Sequence, residues 1–188
     1  MRTVRTARSD EPGALLAFVR EYVGHEESHD SFQRKYEQWP DLFVVAREDG
    51  DLVGGASGSV DDGVARLEAI GATAGRRGEG IGTAVIDQFH QGAARYADAV
   101  TVASAENVEW FYEAAGYEPA KILLQVEDDA LPADYRRHEH YLGERSPEEG
   151  VTFCYVGFEA YSQRLRDELK DEFGAFEVNT IFRKRLPD

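Results

Sequence analysis

Eight consecutive residues, Arg76-Arg77-Gly78-Glu79-Gly80-Ile81-Gly82-Thr83, combine the types and spacing needed to hold an anion. Glycines at 78, 80 and 82 remove Cβ atoms where a loop must turn tightly and let a ligand reach the backbone. An apolar run, Val64 to Ala72, leads in, and an amphipathic segment with Ile81, Val85, Ile86, Phe89, Ala93 and Tyr96 leads out. The pattern is strand, glycine loop, helix. The first turn of that helix supplies unpaired N–H groups and a positive dipole end, and Arg77 adds a guanidinium whose paired donors suit phosphate oxygens. A diphosphate is the ligand class these residues fit. A glycine-rich turn that binds nothing is the competing reading, because a bare glycine pattern is unspecific.

Two other phosphate loops do not match. A P-loop carries Lys and then Ser/Thr after its last glycine, where this chain has Thr83-Ala84. A dinucleotide fingerprint needs a further glycine two residues on and stands in the first strand-to-helix turn, but here several strands come earlier. The residues instead resemble motif A of the GNAT superfamily of N-acetyltransferases, [Q/R]-x-x-G-x-[G/A], with Arg77, Gly80 and Gly82 in the matching places. The preceding Leu67 to Arg76 is similar to the family's fourth strand and its turn. Some 30 residues on, Phe111-Tyr112-Glu113-Ala114-Ala115-Gly116-Tyr117 resembles the same family's motif B, F-Y-E-x-x-G-[F/Y]. Within it the chain departs from the family pattern at Ala105 and Val108.

The resemblance implies a GNAT fold of the α/β (α+β) type, a mixed, mostly antiparallel sheet flanked by helices, with a C-terminal β/α elaboration. It implies acetyl-CoA as co-substrate, with cofactor contacts at Ile70, Gly71, Ala72, Arg77, Gly78, Gly80, Ile81, Gly82 and Thr83, and at Asn107 toward the pantetheine arm or as a helix cap. Backbone N–H groups near Ile70 to Ala72 would polarise the thioester carbonyl where the fourth strand splays from the fifth. Transfer would be direct attack by an amine held beside the thioester. Glu68, two residues before Ile70 and expected on the same strand face, is the carboxylate placed to take the amine's proton; a surface strand carboxylate is the alternative. Tyr112 is similar to the family's general acid, a phenol of pKa about 10 facing a thiol of about 8.5. Plain packing is its alternative. The acceptor is a small-molecule or peptide amine whose identity these motifs do not carry. A GNAT-fold module that binds CoA or a partner with weak catalysis is the second class of function, motivated by the departures in motif B and the long C-terminal addition.

The elements that must position these groups follow from pattern. Arg2 to Arg8 reads as an edge strand. Ser9, Asp10 and Pro12 give a cap and first-turn proline to a helix with Leu15, Leu16, Phe18, Val19 and Tyr22 on one face, ended by Gly24. Ser28 or Asp30 would cap a second helix with Phe32, Tyr36 and Trp39 as its stripe. Two acidic-glycine turns, Glu48 to Asp51 and Asp61 to Gly63, separate three antiparallel strands that run into the loop. Ala99 to Ala103 should lie parallel to the fourth strand by the right-handed crossover rule. Trp110 and Phe111 should point to a core. After the strand Lys121 to Val126 come a helix over Ala133 to Leu142, a strand Val151 to Phe158, a helix Ala160 to Phe173 and a closing strand Glu177 to Arg185. We read residues 1–127 as the GNAT core and 128–188 as the elaboration that contributes the closing strand and offers a dimer interface or acceptor-site wall.

Histidines invite a metal, but their spacing does not support one. His25-Glu26-Glu27-Ser28-His29 formally matches H-E-x-x-H, yet it follows a helix-ending glycine and contains no apolar residue, so it lacks the buried helix that zinc chemistry needs. In the family the connection between the first two helices borders the acceptor groove, which makes His25 and His29 acceptor-site candidates; solvent-exposed loop histidines are the alternative. His138 and His140 are two residues apart and would not share a helix face. Cys154 alternates with Phe153 and Tyr155 and reads as core. No metal is expected.

The net charge of -15, from 36 acidic against 21 basic residues, opposes binding to nucleic acid or anionic membranes. With only four lysines it also resembles proteins of salt-accumulating, halophilic cytoplasms. A single cysteine, no apolar run of membrane length and no apolar leader point to a cytoplasmic protein.

Overall fold

The computed structural model describes residues 1–187, which form two compact units: Met1–Val102 with the residues from Lys184 on, and Ala103–Arg183. The first unit opens with β1 (Arg2–Thr6), α1 (Pro12–Tyr22) and α2 (His29–Gln38), then β2 (Val44–Glu48), β3 (Asp51–Asp61) and β4 (Val64–Ala72). Then come α3 (Ile81–Ala93) and β5, which begins at Ala99. Its strands lie in the order β1-β2-β3-β4-β5, antiparallel except for the last pair. The parallel β4–β5 pair is the expected crossover product, since a right-handed helix joins the two strands.

The α1 cap differs from expectation. Glu11, not Ser9 or Asp10, is the N-cap, and it makes no side-chain cap bond. Its carboxylate is drawn instead to Arg5 (2.6 and 2.9 Å) and Arg47 (2.8 Å). The Arg5 contact is the chief cause that lowers its pKa to about 2, against the opposing effect of burial. Ser28 does cap α2, accepting from the Ser31 N–H. Of the stripe on that helix, Phe32 is fully buried while Tyr36 and Trp39 are half-buried.

The second unit contains α4 (Glu109–Ala114), β6 (Glu118–Glu127), β7 (Tyr141–Glu148), β8 (Val151–Val156), α5 (Gln163–Phe173) and β9 from Glu177. Its strand order is β9-β6-β8-β7, antiparallel throughout. Alternate residues Ile122, Leu124 and Val126 of β6 meet Cys154, Val156, Leu169, Phe173 and Val178 in its core. The helix expected over Ala133 to Leu142 is absent: a single 3-10 turn, Tyr135–Arg137, gives way to β7. Tyr135 and Tyr141 both donate to Glu144, and that side-chain clamp fixes a turn where apolar spacing suggested a helix. Cys154 is buried in the core, which raises its thiol pKa to about 11.

Trp110 and Phe111 do not carry α4 into a core. Trp110 is 66% exposed, and the buried positions of the helix are Glu109 and Tyr112. Asn107 caps nothing: it lies exposed in a 3-10 turn, and the N-cap of α4 is Val108 without a side-chain bond. Gly116 comes after the helix with φ +85°, the left-handed conformation that closes a helix C-terminus.

Candidate active site

In the first unit the site is built on β4 and the glycine loop behind it. The β4–β5 ladder is short: Val64 pairs with Ala99, Ala65 with Val100 and Arg66 with Thr101, and the register goes no further. From Leu67 to Ala72, β4 keeps β3 on one side and leaves its other edge unpaired by β5. Thr73 donates to Val53 of β3, so by the alternation of an antiparallel ladder the Gly71 N–H also faces β3, while the N–H groups of Ile70 and Ala72 face the open edge and need a partner.

The β3–β4 register contains a bulge with consequences for Glu68. It steps from Ser57↔Ala69 to Gly58↔Leu67, so Glu68 has no residue opposite on β3. A Cβ on Gly55 would fall 2.4 Å from Leu15 of α1, and one on Gly71 would fall 2.6 Å from Val23. A Cβ on Gly54 would fall 2.4 Å from Ile81 of α3, and one on Gly58 would meet Phe89. The strands therefore have an α1 face and an α3 face, and β3 alternates between them. Ala56, paired with Ile70, belongs to the α3 face. Ser59, two residues beyond Ser57, lies on the α1 face and donates to Glu68 at 2.6 Å. The extra residue of the bulge thus turns Glu68 onto the opposite face from Ile70. The shared face expected from simple alternation is incorrect here.

On that α1 face Glu68 is surrounded. Lys35 of α2 lies 2.5 Å from one Glu68 oxygen and 2.7 Å from Glu27. Glu27 also accepts from Ser31 (2.7 Å) and lies 3.2 Å from His25. Burial would lower the Lys35 pKa, but the Glu27 and Glu68 carboxylates outweigh it and hold the ammonium above the usual lysine range. Burial would likewise raise Glu27, yet Lys35, Ser31 and His25 together bring it below the usual carboxylate range. His25, Glu27 and Glu68 present three ligand atoms within 4.8 Å of one another, but the cation among them is Lys35. His29 is separated from His25 because α2 starts at His29 itself, and its ring is exposed beside Asp30. Ser57, on the same face, has a buried hydroxyl without a hydrogen-bond partner among the described residues.

The glycine loop runs from a 3-10 turn, Ala74–Arg76, to the N-terminus of α3. Gly78 and Gly80 have φ of +83° and +76°, and a Cβ at either would meet nothing within 4 Å. Backbone conformation, not crowding, is what requires glycine there. Gly80 is the N-cap of α3, and its carbonyl accepts from Ala84, which leaves the N–H groups of Ile81, Gly82 and Thr83 as the free donors of the first turn. Arg76 is not available to a ligand: it binds Glu48 and Glu79, and Arg2 reaches the Glu79 carboxylate (3.1 Å) and carbonyl (2.9 Å). Those four side chains fasten the loop to β1 and β2. Arg77 is exposed and makes no ion pair among the described residues.

In the second unit Tyr112 is buried, with ring contacts to Phe111 (5.2 Å), Tyr117 (5.8 Å) and Phe182 (6.1 Å). Burial raises its phenol to about 12. The neighbouring Glu109, 4% exposed, accepts from Tyr161 (2.7 Å), Arg166 (3.0 Å) and Thr180 (2.5 Å). Neither this network nor the Lys35 cluster is visible in the sequence. Glu27 lies inside the H-E-x-x-H match, but its partner is Lys35, and nothing local marks that pairing.

Comparison with known proteins fits this architecture. Residues 39–119, which contain the bulged strand, the glycine loop and α4, match the family model described as an acetyltransferase (GNAT) domain. No curated protein matches the chain in sequence. Among solved structures, the IAA acetyltransferase from Bacillus cereus is similar at TM-score 0.57 and 12% identity, covering 99% of this chain and all of that one. The ribosomal-protein-S18-alanine N-acetyltransferase from Escherichia coli has TM-score 0.53 and 13% identity over 87% of this chain and 97% of its own. The N-acetylglutamate synthase from Neisseria gonorrhoeae, solved with coenzyme A and L-arginine, has TM-score 0.52 and 16% identity over 85% of this chain and 34% of its own. No helix among the described residues is long and apolar enough to cross a membrane. The chain has the fold of the GNAT acyltransferases, and its residues 39–119 are similar to the acetyltransferase (GNAT) domain of that family.

Proposed function

We propose that this protein transfers an acetyl group from acetyl-CoA to an amine by direct attack in a ternary complex. The observation that carries this reading is the open edge of β4, which leaves β5 after Arg66 and leads directly into the glycine loop and the free N–H groups of α3. The diphosphate would lie on Gly78 to Thr83 with Arg77 as its cation, a combination of helix dipole, backbone donors and guanidinium. The acyl end would run back along β4, so that N–H groups of Ile70 and Ala72 bind the thioester carbonyl and stabilise the oxyanion that forms on attack. Asn107 keeps an exposed amide, which suits the pantetheine arm.

The amine must lose a proton, and Glu68 is assigned that proton, directly or through water. Tyr112 is assigned to the leaving thiolate on the resemblance of its motif. Full transfer from a phenol at about 12 to a thiolate whose conjugate acid has a pKa of about 8.5 is uphill by roughly 5 kcal/mol. Its burial therefore suits Tyr112 better to donating a hydrogen bond to the developing thiolate than to giving up the proton outright. Titration of acetyl-CoA by calorimetry, combined with a thiol-release assay over primary alkylamines, amino acids and peptide N-termini, tests the function. Saturable binding with turnover of at least one amine is expected; tight binding with no turnover across the set would contradict it.

A further inference from the structure

We propose that Lys35 is a positioning residue for Glu68: its ammonium, anchored on Glu27, fixes the bulge carboxylate in place and supplies its counter-charge. The inference rests on the acetyl-transfer reading and adds to it a residue outside both motifs. Three constraints meet on Glu68. The bulge turns its side chain onto the α1 face, Ser59 takes one oxygen at 2.6 Å, and Lys35 takes the other at 2.5 Å. Lys35 is in turn fixed by Glu27, which Ser31 and His25 hold in place. The charged and titratable groups facing Glu68 across this cluster are Lys35 and Glu27 from the α1–α2 side and His25 beside Glu27.

The effect of Lys35 is one of charge. With Lys35 present, two partly buried carboxylates share one cation. Without it, ligand oxygens of Glu27 and Glu68 lie within 4.8 Å of each other as like charges, and one proton would be retained by the pair to higher pH. A base that keeps its proton cannot accept one from the amine. The Lys35 ammonium, with the Ser59 hydroxyl on the other oxygen, also restrains rotation of the carboxylate, so that proton acceptance needs no search for geometry.

The test compares Lys35→Met, Lys35→Arg and Glu27→Gln, using any primary alkylamine that the wild-type protein acetylates. In Lys35→Met the acid limb of the kcat/KM profile should move up by about one pH unit, so that kcat/KM falls about tenfold at pH values on the acid limb and little on the plateau above it, with acetyl-CoA affinity unchanged. Lys35→Arg should restore most of the loss. Glu27→Gln should move the acid limb the other way, because Lys35 then serves Glu68 alone; a merely structural role gives no such opposite signs. A wild-type profile in Lys35→Met, or a loss that Arg does not rescue and that parallels a fall in Tm, would overturn the proposal. A second readout stands apart from activity: in ¹³C-carboxyl NMR titrations the Glu27 signal should titrate at higher pH in Lys35→Met than in wild type. If the wild-type protein binds acetyl-CoA and acetylates no amine, the proposed function fails, and an unmoved Glu27 titration would then overturn the role of Lys35 separately.

Discussion

The glycine loop of the first unit and the Glu109 network of the second are both polar, both charged and built on opposite plans. In the loop, the ligand-binding determinants lie within eight consecutive residues: two left-handed glycines and a helix N-terminus act through the backbone, and Arg77, without an ion pair among the described residues, adds one side-chain cation. In the network, Glu109 gathers Tyr161, Arg166 and Thr180 from 52, 57 and 71 residues away, and every contact is between side chains. A site made of backbone conformation leaves a local signature in residue types. A site made of side chains brought together by the fold leaves none, and its cost is higher, because a buried ion pair must be complete to be tolerated.

The sharpest way to test that contrast is to break the network. Glu109→Gln leaves Arg166 buried with the exposed Asp167 at 2.9 Å and the more distant Glu106 at 3.9 Å as its carboxylates, and should cost about 3 kcal/mol in urea unfolding. Adding Arg166→Met should recover most of the loss. A single-mutant cost no larger than that of a surface substitution would show that the network does not hold α4 and α5.

A second test uses acid. His90 on α3 is half-buried, and burial, with Lys184 second, lowers its pKa to about 4. The folded state thus binds this proton less readily than the unfolded state. The stability contribution is complete above the unfolded value near 6.5 and is lost as pH falls through about 4, by at most about 2 kcal/mol once solvent screening is allowed for. His90→Gln should flatten the stability profile in that window, as read by thermal melts from about pH 7 to 4; an unchanged slope would remove His90 as the cause.

Within the loop, Gly80→Val meets open space but forces a β-branched residue to φ +76°. It should cost about 1–2 kcal/mol of local strain and weaken acetyl-CoA at least tenfold by re-forming the turn. Retained affinity would count against the diphosphate lying there. The smallest effect expected is on Tyr112→Phe, a kcat lowered severalfold with acetyl-CoA affinity nearly constant, measured by steady-state thiol release. Unchanged turnover would leave Tyr112 a packing residue, consistent with its aromatic neighbours.

The same contrast explains what is legible in the sequence. The three strands before the loop, the parallel fifth strand and the closing strand Glu177–Arg185 follow from alternation, turn glycines and handedness. Gly78 and Gly80 are legible because only glycine adopts their φ readily. Glu68 stands out in the sequence, but its face does not, since a one-residue bulge shifts the register invisibly to a period-two pattern. Trp110 is exposed where a core position is expected and Glu109 is buried beside it, because the pairing of Glu109 with Arg166 outweighs hydropathy. The turn at Tyr135–Arg137 reads as helix because its stabiliser, Glu144, lies beyond it.

On this account the loop holds the diphosphate of acetyl-CoA with Arg77 as its free cation. Calorimetric titration of acetyl-CoA into the wild-type protein and Arg77→Glu tests that assignment most directly. Saturable one-to-one binding by the wild type, weakened at least tenfold by charge reversal, about 1.4 kcal/mol or more, is the expected result. No binding by the wild type, or equal affinity in both proteins, would contradict it.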